Sequence, residues 1–253
     1  MYAAERQQRI LAEARREGRV EVSALSELLG VTSETVRRDL TALETRGAVR
    51  RVHGGAIPVE RLELEPSLAT RTARNAEVKR RVAARVLEEL PPGGTILLDA
   101  GSTTQILVSL LPPDADFTII TNSIPAAALL STMPRITLLI TGGRVRGVTG
   151  AAVGPWTTDA LGGLVVDVAV LGTNGLSVAR GLTTPDQVEA KAKRGMVEAA
   201  RRVIVATDSS KAGDDHLHRF ASLDEVDLIV TDDALPDEVA AELRAAGPQV
   251  VTA

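Results

Sequence analysis

Apolar residues change their spacing part-way along this chain. Up to about residue 58 they recur at helical intervals, and beyond about residue 75 they gather into short continuous runs. In the first stretch, Ile10, Leu11 and Ala14 form the stripe of a helix predicted over Ala3 to Arg16, which Gly18 stops. Arg19 to Val22 reads as a short extended piece. Ser23 is placed to cap a second helix with core residues Leu25, Leu28 and Leu29, and Gly30 makes the next turn. Thr32 caps a third helix, on which Val36, Leu40 and Leu43 share one face, and Gly47 ends it. Val49 to His53 reads as a strand, Gly54-Gly55 as a two-residue hairpin turn, and Ala56-Ile57 as the return strand.

Pro58 to Arg74 is polar, holds two prolines and has weak periodicity, so residues 59–74 are read as a linker. A long helix is predicted from Asn75, with Val78, Val82, Val86 and Leu90 inward. Strand candidates follow at 95–99, 117–121, 136–140, 166–172, 203–208 and 228–232, with a terminal Gln-Val-Val-Thr and helical segments between most of them. Continuous apolar runs suit strands buried on both faces. The expected fold is therefore α/β: an N-terminal helical module with a wing (residues 1–58), then a mainly parallel α/β domain (residues 75–253).

Charge is distributed unevenly between these parts. Residues 1–58 hold ten arginines and eight acidic residues, so the rest of the chain is acidic, and the net charge is −4. Five of those arginines fall between Arg37 and His53, against Asp39 and Glu44. Positive charge confined to one edge of one module suits phosphate contact. Order and charge together match a winged helix-turn-helix, whose third helix enters a DNA major groove. Glu34, Arg38, Thr41 and Thr45 point away from the apolar stripe, flanked by Arg37, and Arg50, Arg51 and His53 ride the wing. The candidate DNA-binding residues are Ser33, Glu34, Thr35, Arg37, Arg38, Thr41, Arg50, Arg51 and His53. The chain has only four aromatic residues, too few for a single-strand stacking platform, so duplex DNA is the expected partner.

Other classes are disfavoured. There is no apolar run of membrane-spanning length, and Met1 to Val20 lacks the apolar centre of a signal peptide, so a cytoplasmic protein is expected. Without cysteine there is no disulfide or thiolate metal site. His216 and His218 have a spacing that suits either a metal on a strand or a polar loop, and the loop is favoured. No cofactor and no metal are expected.

In the second domain, the strand candidates run into polar or glycine-rich loops. These are Asp99-Ala100-Gly101-Ser102-Thr103-Thr104, Thr121-Asn122, Thr141-Gly142-Gly143, Gly172-Thr173-Asn174 and Asp208-Ser209-Ser210-Lys211. Turn chemistry alone accounts for any one of them. Converging at the carboxyl end of a sheet, they would form a pocket for a small anionic ligand, with phosphate at the helix start of residues 102–104. The candidate ligand residues are Asp99, Gly101, Ser102, Thr103, Thr104, Thr121, Asn122, Gly142, Gly143, Asn174 and Lys211. Asp99 either binds ligand hydroxyls or holds its loop, and Lys211 is either a counter-charge or a solvated lysine.

The string from Val31 to Ala56, with its Arg-Arg-Asp-Leu and His-Gly-Gly-Ala elements, resembles the signature of the DeoR family of bacterial transcription regulators. The strand-end motifs of the second domain, with Gly181-Leu182-Thr183, are similar to those of the family's sensor domain, and Arg71 and Lys79 match positions near its linker. The resemblance implies a sensor similar in fold to ribose-5-phosphate isomerase. It also implies operator binding, usually repression of a sugar operon, and a phosphorylated sugar or sugar alcohol as effector. By this match Asp39 is an internal partner for an arginine.

Ser67 stands where the family often has an aromatic residue. The loop at 172–175 carries no carboxylate where the isomerases have catalytic acids, although Asp186 and Glu189 lie just beyond it. The alternative reading is a sugar-phosphate isomerase or deaminase with a DNA-binding appendage. A constitutive DNA binder with a vestigial pocket is a third. DNA geometry suggests a homodimer or homotetramer formed through the second domain.

Overall fold

The computed structural model describes residues 3–45, 48–52, 54–58 and 66–253. It divides into two units, residues 1–65 and 66–253.

In the first unit, α1 (Ala3–Glu17), α2 (Val22–Leu29) and α3 (Ser33–Thr45) enclose a core of Ile10, Ala14, Leu25, Val36, Leu40 and Leu43. A small sheet closes it, in which β3 (Gly55–Pro58) lies between β1 (Val20–Glu21) and β2 (Val49–Val52). Three sequence expectations need correction. Ser23 lies inside α2 and caps nothing. The Val22 N–H donates instead to the Gly54 carbonyl at 2.8 Å, so the adjoining wing satisfies the helix start. Leu28 is 50% exposed, because the buried stripe of α2 is Val22, Leu25 and Leu29 and Leu28 falls beyond its edge. Gly55 is a strand residue paired with Val52 and Glu21, not part of the turn. A Cβ there would lie 1.9 Å from the Val20 carbonyl oxygen, so only glycine lets β1 and β3 approach. His53 and Gly47 lie outside the described residues.

The second unit begins with α4 (Leu68–Ala73), which occupies part of the expected linker and is capped by Ser67, whose hydroxyl accepts from the Thr70 N–H at 3.2 Å. Then α5 (Ala76–Glu88) buries Lys79, Val82, Ala83 and Val86. Val78 and Leu90, both expected inward, are only half-buried, because the buried face of α5 is turned toward Lys79 and Leu90 lies past the helix end.

A seven-stranded parallel sheet follows, in the order β15-β14-β12-β9-β4-β5-β6. Its strands are β4 (Thr95–Leu98), β5 (Thr118–Thr121), β6 (Thr137–Ile140), β9 (Val166–Leu171), β12 (Ala200–Ala206), β14 (Leu228–Thr231) and β15 (Gln249–Thr252). Alternate side chains enter two cores, which is why these strands read as unbroken apolar runs. Ile96, Leu98, Ile119, Val168 and Val170 face α5, α6 (Ser102–Leu110) and α7 (Ile124–Leu130). Leu97, Ile120, Ala169 and Leu171 face α8 (Pro155–Gly162), α9 (Gln187–Ala199) and α10 (Asp237–Ala245). Two small antiparallel sheets complete the unit: β7 (Arg144–Val145) with β8 (Ala152–Val153), and β10 (Gly175–Ser177), β11 (Gly181–Thr184) and β13 (His218–Ala221).

The chain order reverses between β4 and β9. From β4 it progresses outward to β5 and β6, then returns to β9 and progresses the other way. Sheets of this kind bind ligands at such a switch point, beyond the carboxyl ends of the strands.

Candidate DNA-binding surface and effector pocket

Helix α3 is fixed from below by Asp39, which is 4% exposed. The Arg6 Nε donates to Asp39 Oδ2 at 2.5 Å and the Gln7 amide donates to Oδ1 at 3.0 Å, tying α1 to α3. This is the internal partnership that the family resemblance implied. Thr32 caps α3, its Oγ1 accepting from the Thr35 N–H at 3.2 Å, and the Thr35 hydroxyl lies 2.9 Å from the same oxygen.

Several residues of the outer face are already engaged. The Thr41 hydroxyl donates to the Arg37 carbonyl at 2.9 Å and accepts from Arg51 Nη1 at 3.1 Å. The Arg51 N–H donates to Glu44 at 2.8 Å, so Arg51 fastens the wing to α3. Glu34 and Arg37 lie 3.8 Å apart as an exposed pair. Arg38 projects from α3 into solvent, and Arg50 is half-buried on the wing. Neither has a side-chain partner among the described residues.

In the second unit, Asp99 follows β4 at the switch point and is fully buried. Its Oδ2 accepts from the Gly172 N–H, beyond β9, at 3.1 Å, and from the Lys193 ammonium of α9. Lys193 is 2% exposed, donates also to the Gly172 carbonyl at 2.9 Å, and lies 5.4 Å from the centre of the Phe220 ring. The other oxygen of Asp99 is buried without a partner, as is the Thr141 hydroxyl after β6.

The helix start beside Asp99 lacks a side-chain cap. Gly101 precedes α6, so its first-turn N–H groups have no side-chain acceptor. Ser102 and Thr103 stand on that turn. Thr104, Thr121 and Asn122 do supporting work. The Thr104 hydroxyl donates to the Asp99 carbonyl at 2.7 Å, and the Thr121 hydroxyl to the Leu98 carbonyl at 2.7 Å. The Asn122 amide accepts from the Ala100 N–H at 3.0 Å and donates to the Ala152 carbonyl at 3.2 Å. Gly142 and Gly143 turn with positive φ, and a Cβ on Gly143 would lie 2.4 Å from the Thr157 hydroxyl oxygen. The Asn174 side chain accepts from Thr184 at 3.0 Å.

Beyond β12, Asp208 lies within a cluster of cations. The Asn75 amide donates to it at 3.2 Å, and Ser210 donates as well. Burial opposes ionisation of this carboxyl, but Ser210, Lys211, Lys79 and Asn75 hold it below its ordinary value. Lys79 donates to the carbonyls of Arg71 and Arg74, the latter at 2.7 Å. Burial is the main cause lowering its pKa to about 8, helped by Lys211, Arg71 and Arg74. Lys211 is lowered too, by burial first and then by Arg74 and Arg71, against the pull of Asp208 and Asp214.

Of the sequence candidates, Asp99, Ser102, Thr103 and Lys211 thus meet the same end of the sheet as charged or hydrogen-bonding groups. Sequence reasoning missed Lys193, Arg74 and the enclosure of Asp208. A lysine among Ala190, Ala192, Met196 and Val197 on the apolar stripe of α9 was the available signal. The two acids considered for catalysis are committed elsewhere. Asp186 caps α9, accepting from the N–H groups of Val188 and Glu189 at 2.9 Å, and Glu189 pairs with Arg146. His216 lies 3.2 Å from the Asn174 carbonyl, and no cluster of three metal-ligating side chains occurs among the described residues.

Residues 6–61 match the DeoR-like helix-turn-helix domain, and residues 74–233 match the DeoR C-terminal sensor domain. The chain belongs to the DeoR family of transcription regulators. It is 39% identical over 251 residues to the HTH-type transcriptional regulator GlpR of Haloferax volcanii, covering 99% of this chain and 98% of that protein. It is 34% identical to a putative aga operon transcriptional repressor of Escherichia coli O157:H7, covering 98% and 93%. The glycerol-3-phosphate regulon repressor of Escherichia coli K12 is 29% identical, with 94% of each chain covered. Among solved structures, ribose-5-phosphate isomerase A of Methanocaldococcus jannaschii aligns with 55% of each chain, at 20% identity and a TM-score of 0.41. Family membership makes the chain a DNA-binding transcription regulator rather than an isomerase or deaminase. No helix among the described residues is long and apolar enough to cross a membrane.

Proposed function

We propose that this DeoR-family chain represses a sugar-metabolism operon in the cytoplasm and that a phosphorylated sugar or sugar alcohol controls it. The named relatives support the class: one is a putative aga operon repressor and another a glycerol-3-phosphate regulon repressor. The observation that carries the reading is the switch point itself. An uncapped helix start stands next to a buried carboxylate with one unsatisfied oxygen, in a sheet mouth that also holds Lys211, Lys79, Arg71 and Arg74.

A phosphoryl group on the first turn of α6 takes the free N–H groups and the favourable end of the helix dipole. A hydroxyl donating to Asp99 Oδ1 gives that oxygen its missing partner, and burial without one costs about 1–3 kcal/mol. A phosphorylated polyol offers both groups in one small molecule. Residues 1–58 read the operator through Arg38 and the wing, and residues 75–253 bind the effector and join copies into a dimer or tetramer. Effector binding controls transcription to the extent that it favours one arrangement of the chain over another.

The test is to select the operator from a random duplex pool. Its release is then followed by fluorescence anisotropy while triose and hexose phosphates, and the same sugars without phosphate, are added. At least one phosphate ester changes operator affinity five-fold or more, and its unphosphorylated partner does so poorly. A pool that yields no preferred duplex, or a full panel without effect, overturns the reading.

A further inference from the structure

We propose that the edge strand β6 forms a two-fold interface with β6 of a second copy, joining two parallel sheets into one. The proposal deepens the oligomer part of the reading above and rests on it.

The sheet has two edges, and they are built differently. At β15, Val250 is buried and its carbonyl accepts from Arg244 at 3.2 Å. At β6, Leu139 and Ile140 are 49% and 50% exposed. Ala169, Leu97, Ile120 and Leu139 stand in register across four strands, and the first three are at most 4% exposed. The core row therefore runs to the edge and ends uncovered. Exposed edges are ordinarily guarded by charge, proline or a bulge. From Ile136 to Gly143 this segment has no charged residue and no proline.

The occupant that fits is a copy of the same strand. Residues opposite each other in an antiparallel pair point to the same face, so a two-fold axis through Leu139 sets Leu139 against its own mate. The same axis sets Leu138 against Ile140 and Thr137 against Thr141, pairs of matched shape and polarity. β6 ends at Ile140 and the chain turns at Gly142 and Gly143, so the paired stretch holds no charged residue and no like charges oppose within it. Trp156 is 77% exposed, and its neighbour Thr157 donates to the Gly142 carbonyl at 2.7 Å, which places it beside the end of β6. With Leu139, Ile140 and Val145 it offers roughly 450 Å² of apolar surface, about half of what each partner of a standard interface buries. The strand backbone and its polar surround are available to contribute the remainder.

The chain has no cysteine, so one introduced thiol is unambiguous. Opposed residues in an antiparallel pair have Cα atoms about 4.5–5.5 Å apart, within disulfide range. Mild oxidation of Leu139→Cys yields a covalent dimer, and oxidation of Leu217→Cys, at a more exposed site elsewhere, does not. Leu139→Lys keeps the wild-type circular dichroism and lowers the mass by sedimentation, with self-association at least ten-fold weaker. If the wild type sediments as an oligomer while Leu139→Cys stays uncrosslinked and Leu139→Lys keeps the wild-type mass, the interface lies elsewhere. A wild type that is monomeric at micromolar concentration overturns the oligomer reading itself.

Discussion

The ammonium of Lys193 is bonded to the carboxylate of Asp99 in the interior of the second unit, and it bridges the two strands where the chain order reverses. The pair holds the β4 and β9 loops together and leaves one carboxylate oxygen without a hydrogen-bond partner.

Breaking that pair leaves a buried charge without compensation. Lys193→Met is expected to destabilise the second unit by about 3–5 kcal/mol, visible as a lower urea midpoint by circular dichroism. Asp99→Asn strands the ammonium in the same way. Were the bond ornamental, Lys193→Met would unfold at the wild-type midpoint.

In the DNA-binding unit, Arg38 and Arg51 are expected to behave differently. Arg38→Ala should weaken operator binding by about 1–3 kcal/mol if its guanidinium pairs with a guanine edge, with the fold unchanged. Arg50→Ala should lower the salt slope of binding by about one unit, as loss of a phosphate contact does. Arg51→Ala removes the guanidinium bond to Thr41 and keeps the backbone bond to Glu44, so its effect should extend to amide exchange in the wing. Equal operator affinity for wild type and Arg38→Ala would remove Arg38 from the interface.

Asp39 is expected to support these arginines from the interior rather than to contact DNA. Asp39→Ala leaves Arg6 and Gln7 without their acceptor, and α1 loses its polar tie to α3. The expected result is a lower melting temperature of the first unit, with operator affinity falling in parallel. Asp39→Asn, which keeps an acceptor for Gln7 and Arg6, should recover part of both. A variant that melts normally yet fails to bind DNA would mean that Asp39 acts at the operator directly.

The periodicity of the chain made most of this legible. Runs such as Thr95–Leu98 and Val166–Leu171 are strands because both faces meet cores, and Val36, Leu40 and Leu43 mark the inner face of α3 without ambiguity. The failures have a common cause. Ser23 and Gly55 carry local signals for a cap and a turn, but the pairing of β1 with β3 takes precedence over both. Leu28 belongs to a stripe in projection, yet the packed helices cover only part of it. At the carboxyl end of the sheet, loop composition pointed to Asp99 and Thr103, and the fold brings both there. Lys193, distant in sequence, needed the fold to bring α9 against β4.

The pH dependence of the effector response should reside in Lys79. Its pKa in the folded chain is about 8, below the ordinary 10.5, because burial disfavours the ammonium. Between those values the unfolded chain holds more protons, so stability of the second unit should rise with pH across that window. A phosphate seated on α6 adds negative charge at this same end of the sheet, which favours the charged form of Lys79 and draws a proton onto it. Effector affinity should accordingly fall as pH rises through about 8. Calorimetry in two buffers of different ionisation enthalpy measures the proton taken up; identical heats would separate Lys79 from the anion.

The phosphate position itself is tested at Thr103. It is 7% exposed on the first turn of α6, where Gly101 supplies no side-chain cap. Thr103→Glu puts a fixed negative charge beside the N–H groups that the phosphate is proposed to occupy. That charge suits the helix dipole, so the fold should survive, and operator affinity without effector should stay at the wild-type level. Response to the phosphorylated effector should be lost, or shifted to at least a hundred-fold higher concentration. Thr103→Ser, which keeps the hydroxyl and adds no charge, should respond as the wild type does. If Thr103→Glu releases operator DNA at the wild-type effector concentration, the phosphate does not rest on α6. The cations around Asp208 would then be the remaining place for it at this end of the sheet.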